Sequence, residues 1–137
     1  MAKINENIEI GNTGCSLKKL IPYLLWTNPN PNNSFGSQSI QLNLNEYKII
    51  EIWFKHYRTD DTRLCMKTLV PSKEALNYVE MDTYYNQINM QKREFEVKTN
   101  EIVFQEGLWY FAGRTAQTDN SRCVPLYVIG YKTNLFS

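Results

Sequence analysis

The sequence is poor in the residue types that metal centres and many catalytic sites require. It has a single histidine, His56, and three cysteines that lie far apart, Cys15, Cys65 and Cys123. A structural zinc site needs clustered ligands, and a disulfide framework normally uses an even number of cysteines. We therefore expect reduced, mostly buried thiols, no bound metal and no cofactor.

Long apolar runs and an excess of charge are also missing. The longest apolar runs span only a few residues, as at 108–112, which is too short for a transmembrane helix. Residues 1–7 do not contain the apolar core of a signal peptide. Fifteen Lys and Arg against 14 Asp and Glu leave a formal net charge of +1, and basic pairs such as Lys92-Arg93 are common on solvated faces. We expect synthesis in the cytoplasm, no membrane insertion and no nucleic-acid partner.

Motifs for catalysis are scarce, because the chain has neither a glycine-rich phosphate loop nor a nucleophile elbow. A Cys-His nucleophile could run only through His56, with Cys65 on the next predicted strand. Paired carboxylates of the glycosidase type could come from residues 60–61 or from Glu94 and Glu96. However, Glu94 and Glu96 alternate with apolar residues as on any half-solvated strand, and aspartates at 60–61 suit a turn. We expect no enzymatic activity, and a glycan hydrolase is the alternative.

Alternation of apolar and polar residues dominates from residue 23 onward. Ile40, Leu42 and Leu44 share one side of a predicted strand, whereas strand 48–54 is apolar on both sides and should be central or covered. About eight such strands are separated by turn signals. Pro125 cannot donate to a ladder, so it should lie at an edge or a bulge. The pattern predicts an all-β fold, an antiparallel β-sandwich of jelly-roll-like type.

The chain divides into an N-terminal arm, residues 1–22, and a β-sandwich domain, residues 23–137. Within the arm, residues 16–21 could form one helical turn before Pro22 ends it. Residues 72–76 are the best remaining helical candidate. We expect Trp26 to anchor the chain where it enters the sandwich. The predicted core consists of Ile40, Leu42, Leu44, Ile50, Ile52, Phe54, Phe95, Val97, Leu126 and Val128.

Two polar segments are candidates for ligand binding. Residues 84–87 combine tyrosines with amides and lack apolar alternation, and residues 113–122 form a second polar loop. Aromatic rings beside amides suit sugar or protein recognition, because a ring stacks on an apolar face while the amides hydrogen-bond. The predicted receptor-binding residues are Tyr84, Tyr85, Asn86, Arg114, Gln117, Asp119 and Arg122.

The chain also has six large apolar residues that together exceed what one small sandwich should expose. Contiguous apolar patches on a soluble protein usually mark an interface, and closed symmetry is the default for self-association. We therefore predict a homo-oligomer. Its predicted interface residues are Ile49, Trp53, Trp109, Phe111, Ile129 and Tyr131.

Several phrases of the sequence resemble one class of protein. They are residues 24–31 (LLWTNPNP), Phe35, the alternating run 38–44, residues 93–97 (REFEV) and residues 124–132 (VPLYVIGYK). Similar phrases recur in small structural domains of tailed bacteriophages and prophages, in tail-fibre or baseplate proteins. The resemblance covers residues 20–132.

This resemblance implies a virion structural and adhesion protein, a tail-fibre or receptor-binding module that recognises a host-surface glycan or protein. It favours threefold symmetry for the oligomer and a location in the virion beside other virion proteins. A capsid decoration or head-fibre protein without a receptor of its own is the alternative within the same class.

Overall fold

The computed structural model describes residues 8–9, 16–17, 19–82, 86–112 and 114–133. Over these residues the chain forms eleven β-strands and no helix. The strands are β1 (Ile8–Glu9), β2 (Ser16–Leu17), β3 (Leu20–Thr27), β4 (Gln38–Gln41), β5 (Ile49–Tyr57), β6 (Asp60–Leu69), β7 (Ser72–Asp82), β8 (Gln87–Val97), β9 (Glu101–Tyr110), β10 (Gln117–Thr118) and β11 (Arg122–Thr133).

Apart from β1 and β2, the strands build two antiparallel sheets that pack face to face. The four-stranded sheet has the order β3-β11-β5-β6, and the five-stranded sheet has the order β10-β9-β8-β7 with β4 also paired to β9. β1 and β2 pair with each other. The predicted all-β fold and antiparallel sandwich are therefore confirmed.

The core forms where the inner faces of the two sheets meet. Alternate residues of β5 point inward, so Ile52 and Phe54 are fully buried. The ring of Phe54 packs against Phe95 and Phe104 of the other sheet, with centroid separations of 5.7 Å and 6.4 Å. Every predicted core residue is buried except Leu42, which is half-buried, and Trp26 packs against the core as expected.

Replacing Ile52 with alanine should lower the free energy of unfolding by about 2–5 kcal/mol, because it removes buried methyl groups and leaves a cavity. Chemical denaturation measures this change. Ile88→Ala is the matched control, since Ile88 is 60% exposed and the same truncation there should cost less than about 1 kcal/mol. Equal losses of unfolding free energy at the two positions would contradict the assignment of Ile52 to the core and Ile88 to the solvent side.

Two details of the central strands agree with the sequence. β5 lies between β11 and β6, as its two apolar sides predicted. β11 is also central, and its ladder with β5 shifts register between Pro125 and Tyr127. Pro125 therefore lies at a bulge, where its missing N–H does not interrupt a regular ladder.

Two local expectations of helix are wrong, and one predicted boundary falls inside a strand. Residues 16–17 and 20–21 lie in strands instead of a helical turn, and residues 72–76 belong to β7. The proposed boundary at Pro22 falls inside β3, because Leu20, Ile21 and Pro22 pair with β11. Pairing with a neighbouring strand outweighs the weak local helix propensity of these short segments.

Candidate binding groove and inter-sheet polar cluster

A groove of about 620 Å³ opens beside the turn of the β7–β8 hairpin. Its walls come from the start of β8, the end of β9 and the segment that follows β9. We call it the hairpin groove. It is lined by Asn86, Gln87, Ile88, Met90, Tyr110, Ala112 and Arg114.

The hairpin groove brings together one predicted receptor-binding residue from each of the two polar segments, Asn86 and Arg114. Asn86 is exposed at the turn with a φ of 51°, a left-handed conformation that asparagine tolerates better than most residues. Arg114 is exposed on the other side, and its backbone N–H donates to the carbonyl of Phe111 at 3.0 Å. Amide and guanidinium groups therefore face the same space from distant parts of the sequence.

An apolar strip extends from the groove along the hairpin. Val79, Met81 and Ile88 are 59%, 61% and 60% exposed. Val79 pairs with Met90 and Met81 pairs with Ile88 across the two strands, so these side chains share the solvent-facing side of the sheet. An exposed apolar patch with polar groups at its rim is typical of a binding surface.

The other predicted binding residues lie elsewhere. Tyr84 and Tyr85 lie outside the described residues. Gln117 is exposed on β10, opposite Trp109, and does not line the groove. Asp119 and Arg122 form an ion pair with each other, with Nε to Oδ2 at 3.2 Å.

Arg122 is held within the fold by further contacts. Its guanidinium lies over the rings of Trp109 and Tyr57, 3.8 Å and 4.7 Å from the centroids. Asp119 also accepts a hydrogen bond from the backbone N–H of Ser121 at 3.1 Å. Both predicted binding residues therefore stabilise the junction of the two sheets.

A histidine links the two sheets beside this ion pair. His56 Nε2 lies 2.7 Å from Glu80 Oε2 on the other sheet, and its Nδ1 lies 3.3 Å from Asp60 Oδ2. The imidazole also packs edge-to-face on Tyr78, with centroids 4.8 Å apart. We call His56, Asp60, Glu80, Asp119 and Arg122 the inter-sheet polar cluster. Sequence reasoning missed Glu80, because its partner is 24 positions away on a different sheet.

The most deeply buried charge is Arg93, which the sequence placed on a solvated face. That placement is wrong for Arg93, because the side chain is fully buried. Its guanidinium donates to the backbone carbonyls of Cys123, Gln105 and Arg122 at 2.7, 2.6 and 3.0 Å. Burial lowers the pKa of Arg93 to about 10, so the group remains protonated at neutral pH.

The structure does not bring Cys65 and His56 together as a Cys-His pair. Cys65 lies opposite Trp53 in the β5–β6 ladder, on the outer face, whereas His56 contacts Tyr78 across the sandwich. Cys123 is buried, and burial raises the pKa of its thiol to about 12. A thiol with this pKa stays protonated and unreactive at neutral pH.

The carboxylate pairs have local partners. Asp60 accepts a hydrogen bond from the backbone N–H of Thr62 at 2.9 Å, which lowers the pKa of Asp60 and agrees with the expected turn role. Glu94 forms an ion pair with Lys92 at 2.8 Å on the solvent side. Within the described ranges, no group of three or more His, Cys, Asp or Glu residues could hold a metal ion.

The predicted interface residues divide between the two sheets. Ile49 and Trp53 on β5 and Ile129 and Tyr131 on β11 share the outer face of the four-stranded sheet, where Ile49 lies opposite Tyr131. Trp109 lies on β9 of the five-stranded sheet, where its ring contacts Arg122 of β11, and Phe111 follows just after β9. The first four residues can therefore act as one surface, whereas the last two cannot join it.

Comparison with known proteins finds no family model, no curated protein and no solved structure that matches this chain. In the part of the chain that the structure describes, no helix is long and apolar enough to cross a membrane.

Proposed function

We propose that this chain is a non-enzymatic adhesion module, a virion structural protein of a tailed bacteriophage or prophage, which binds a host-surface glycan through the hairpin groove. The observation that carries the proposal is the meeting of Asn86 and Arg114 at one groove beside an exposed apolar strip. The resemblance of the sequence to tail-fibre and baseplate domains supplies the virion context.

The groove chemistry suits a sugar ligand. The ring of Tyr110 is half-exposed and can stack on the apolar face of a pyranose, while the amides of Asn86 and Gln87 can hydrogen-bond to hydroxyl groups. Arg114 adds a cation that can form a charge-assisted hydrogen bond with a carboxylate. An acidic sugar therefore matches the lining better than a neutral one.

The groove lining also supports a role in binding without cleavage. Glycoside hydrolysis canonically needs two carboxyl groups across the scissile bond. The described lining residues of the hairpin groove include amides, apolar side chains, a tyrosine and an arginine, but neither Asp nor Glu. We accordingly propose recognition as the role of this site.

Replacing Arg114 with alanine should weaken glycan binding about tenfold, which corresponds to ~1.4 kcal/mol and lies near the value of one charge-assisted hydrogen bond. Asn86→Gly should also weaken binding, because it removes the amide while glycine accepts the left-handed backbone. A glycan array followed by titration calorimetry on the selected sugar measures both effects. Arg63→Ala is the control, because Arg63 is exposed on β6 of the other sheet and its loss removes the same charge.

Three outcomes would contradict the proposal. Release of reducing sugar from a bound glycan would support the hydrolase alternative. Binding to a host-surface protein and to no glycan would replace the ligand class. The absence of any binding to host cells would favour the capsid decoration or head-fibre alternative.

A further inference from the structure

The outer face of the four-stranded sheet presents a largely apolar surface that contains one ion pair. Three rows of side chains cross the strands in the order β3, β11, β5, β6, as the ladder registers show. At the two edges, Leu24 and Leu69 are 67% and 64% exposed. We call this surface the outer sheet face. Its members are Thr27, Tyr127, Trp53 and Cys65 in the first row, Leu24, Ile129, Glu51 and Lys67 in the second, and Pro22, Tyr131, Ile49 and Leu69 in the third.

The one carboxylate on this face already has its partners. Glu51 is buried by its neighbours, and it accepts hydrogen bonds from Trp53 Nε1 at 2.6 Å and from the hydroxyl of Tyr131 at 3.2 Å. Lys67 Nζ lies 3.3 Å from the same carboxylate. Although burial alone would raise the pKa of Glu51, these three groups together keep it below the ordinary value. The carboxylate is therefore charged and has three partners, so these contacts can replace water when the surface is buried.

The Glu51–Lys67 pair leaves the three rows of the outer sheet face without net charge, and the next row on the same side of the sheet carries Lys55 and the exposed Arg63 at its border. A patch without net charge meets little charge repulsion when it contacts an identical patch. If the patch is buried against another apolar face, Glu51 and Lys67 remain paired with each other. A lone carboxylate in an interface would instead be buried without a partner, which is costly. A second copy of the chain offers such a surface, because its own Glu51 and Lys67 are paired in the same way.

The size and flatness of the face also fit a second copy. Four strands about 4.8 Å apart and three rows about 7 Å apart give a footprint of roughly 400 Å². Because protruding side chains have more accessible area than their footprint, two stacked copies bury on the order of 1,000 Å², the lower bound for a specific interface. One patch that contacts itself is isologous and generates twofold symmetry, whereas a trimer needs two different patches.

We infer that two copies of this chain stack their outer sheet faces about a twofold axis, sheet on sheet, with the Glu51–Lys67 pairs enclosed between them. This dimer replaces the threefold arrangement that the sequence resemblance favoured. It does not depend on ligand binding at the hairpin groove, which lies on the opposite sheet. Each dimer therefore presents two grooves on its two outer sides.

Sedimentation equilibrium on the full chain tests the inference. The native protein should have twice the chain mass at micromolar concentrations, and Leu24→Lys with Leu69→Lys should give a monomer. Both leucines are largely exposed, so the double variant should still fold, which circular dichroism verifies. The matched control is Met81→Lys with Ile88→Lys, which adds the same two charges on the other sheet and should remain dimeric.

The native thiol of Cys65 gives a second readout, because it is exposed in one copy and lies on the outer sheet face. Alkylation followed by peptide mass spectrometry should be at least about fivefold slower in the dimer than in the monomeric double variant. A trimeric mass, or dissociation by the Met81 and Ile88 control, would assign the interface elsewhere and overturn the inference. A native monomer would overturn it as well, and slow Cys65 alkylation in that monomer would show that the chain's own arm covers the face.

Discussion

Replacing Arg93 with methionine should lower the free energy of unfolding by about 5 kcal/mol. The three carbonyl groups that its guanidinium now satisfies belong to Cys123, Gln105 and Arg122. Methionine fills much of the volume but donates no hydrogen bond. The bond to Cys123 is buried and the other two are partly buried, and a buried acceptor left unpaired costs about 1–3 kcal/mol. The loss of the bond from Arg93 should also allow the backbone of Cys123, which has a φ of 45°, to leave this left-handed conformation.

Lys92→Met is the matched control for this prediction. Lys92 adjoins Arg93 but lies on the solvent side of β8, where its ion pair with Glu94 should contribute less than about 1 kcal/mol. Urea denaturation of both variants gives the comparison. Arg93→Lys separates charge from geometry: it keeps the charge but has no planar fork, so it should recover only a small part of the loss. Full recovery by lysine, or a small loss in Arg93→Met, would show that the three carbonyl contacts matter little.

The position of Arg93 could have been predicted from the sequence. Phe95 and Val97 were correctly placed on the inner face, and strand alternation extended two residues toward the N-terminus puts Arg93 on that same face. The basic pair Lys92-Arg93 was instead interpreted by composition, which does not distinguish the two sides of a strand. The apolar core was predictable because apolar and polar residues alternate within each strand. This alternation can be identified without knowing which strands become neighbours.

The sites were less predictable because they depend on which strands become neighbours. Asn86 and Arg114 were recognised as polar loop residues, but their shared groove follows from the register of β8 against β9. Likewise, the contact of His56 with Glu80 depends on how one sheet packs on the other. No local pattern in the sequence encodes either relation. The strand formed by residues 72–76 was missed for a similar reason, since its ladder with β8 decides its conformation.

Gly107→Ala should cost at least about 4 kcal/mol, above the usual 1–3 kcal/mol range for overpacking, because the added methyl group would collide with backbone atoms. A Cβ at Gly107 would lie 2.4 Å from the carbonyl oxygen of Asp119 and 3.0 Å from that of Arg122. These atoms cannot easily move away. The carbonyl of Gly107 accepts a hydrogen bond from the N–H of Asp119 at 2.8 Å, and the carbonyl of Arg122 accepts one from Arg93.

Gly36→Ala makes the same chemical change in an open position, where the nearest atom to the new Cβ is Asn120 Nδ2 at 4.0 Å. It should therefore change the free energy of unfolding by less than about 1 kcal/mol. Thermal and urea unfolding of the two variants should separate them clearly. If Gly107→Ala instead unfolds like the native protein, the segment that contains Asp119 must shift outward without loss. The Asp119–Arg122 ion pair and the stacking of Arg122 on Trp109 would then contribute little to holding the two sheets together.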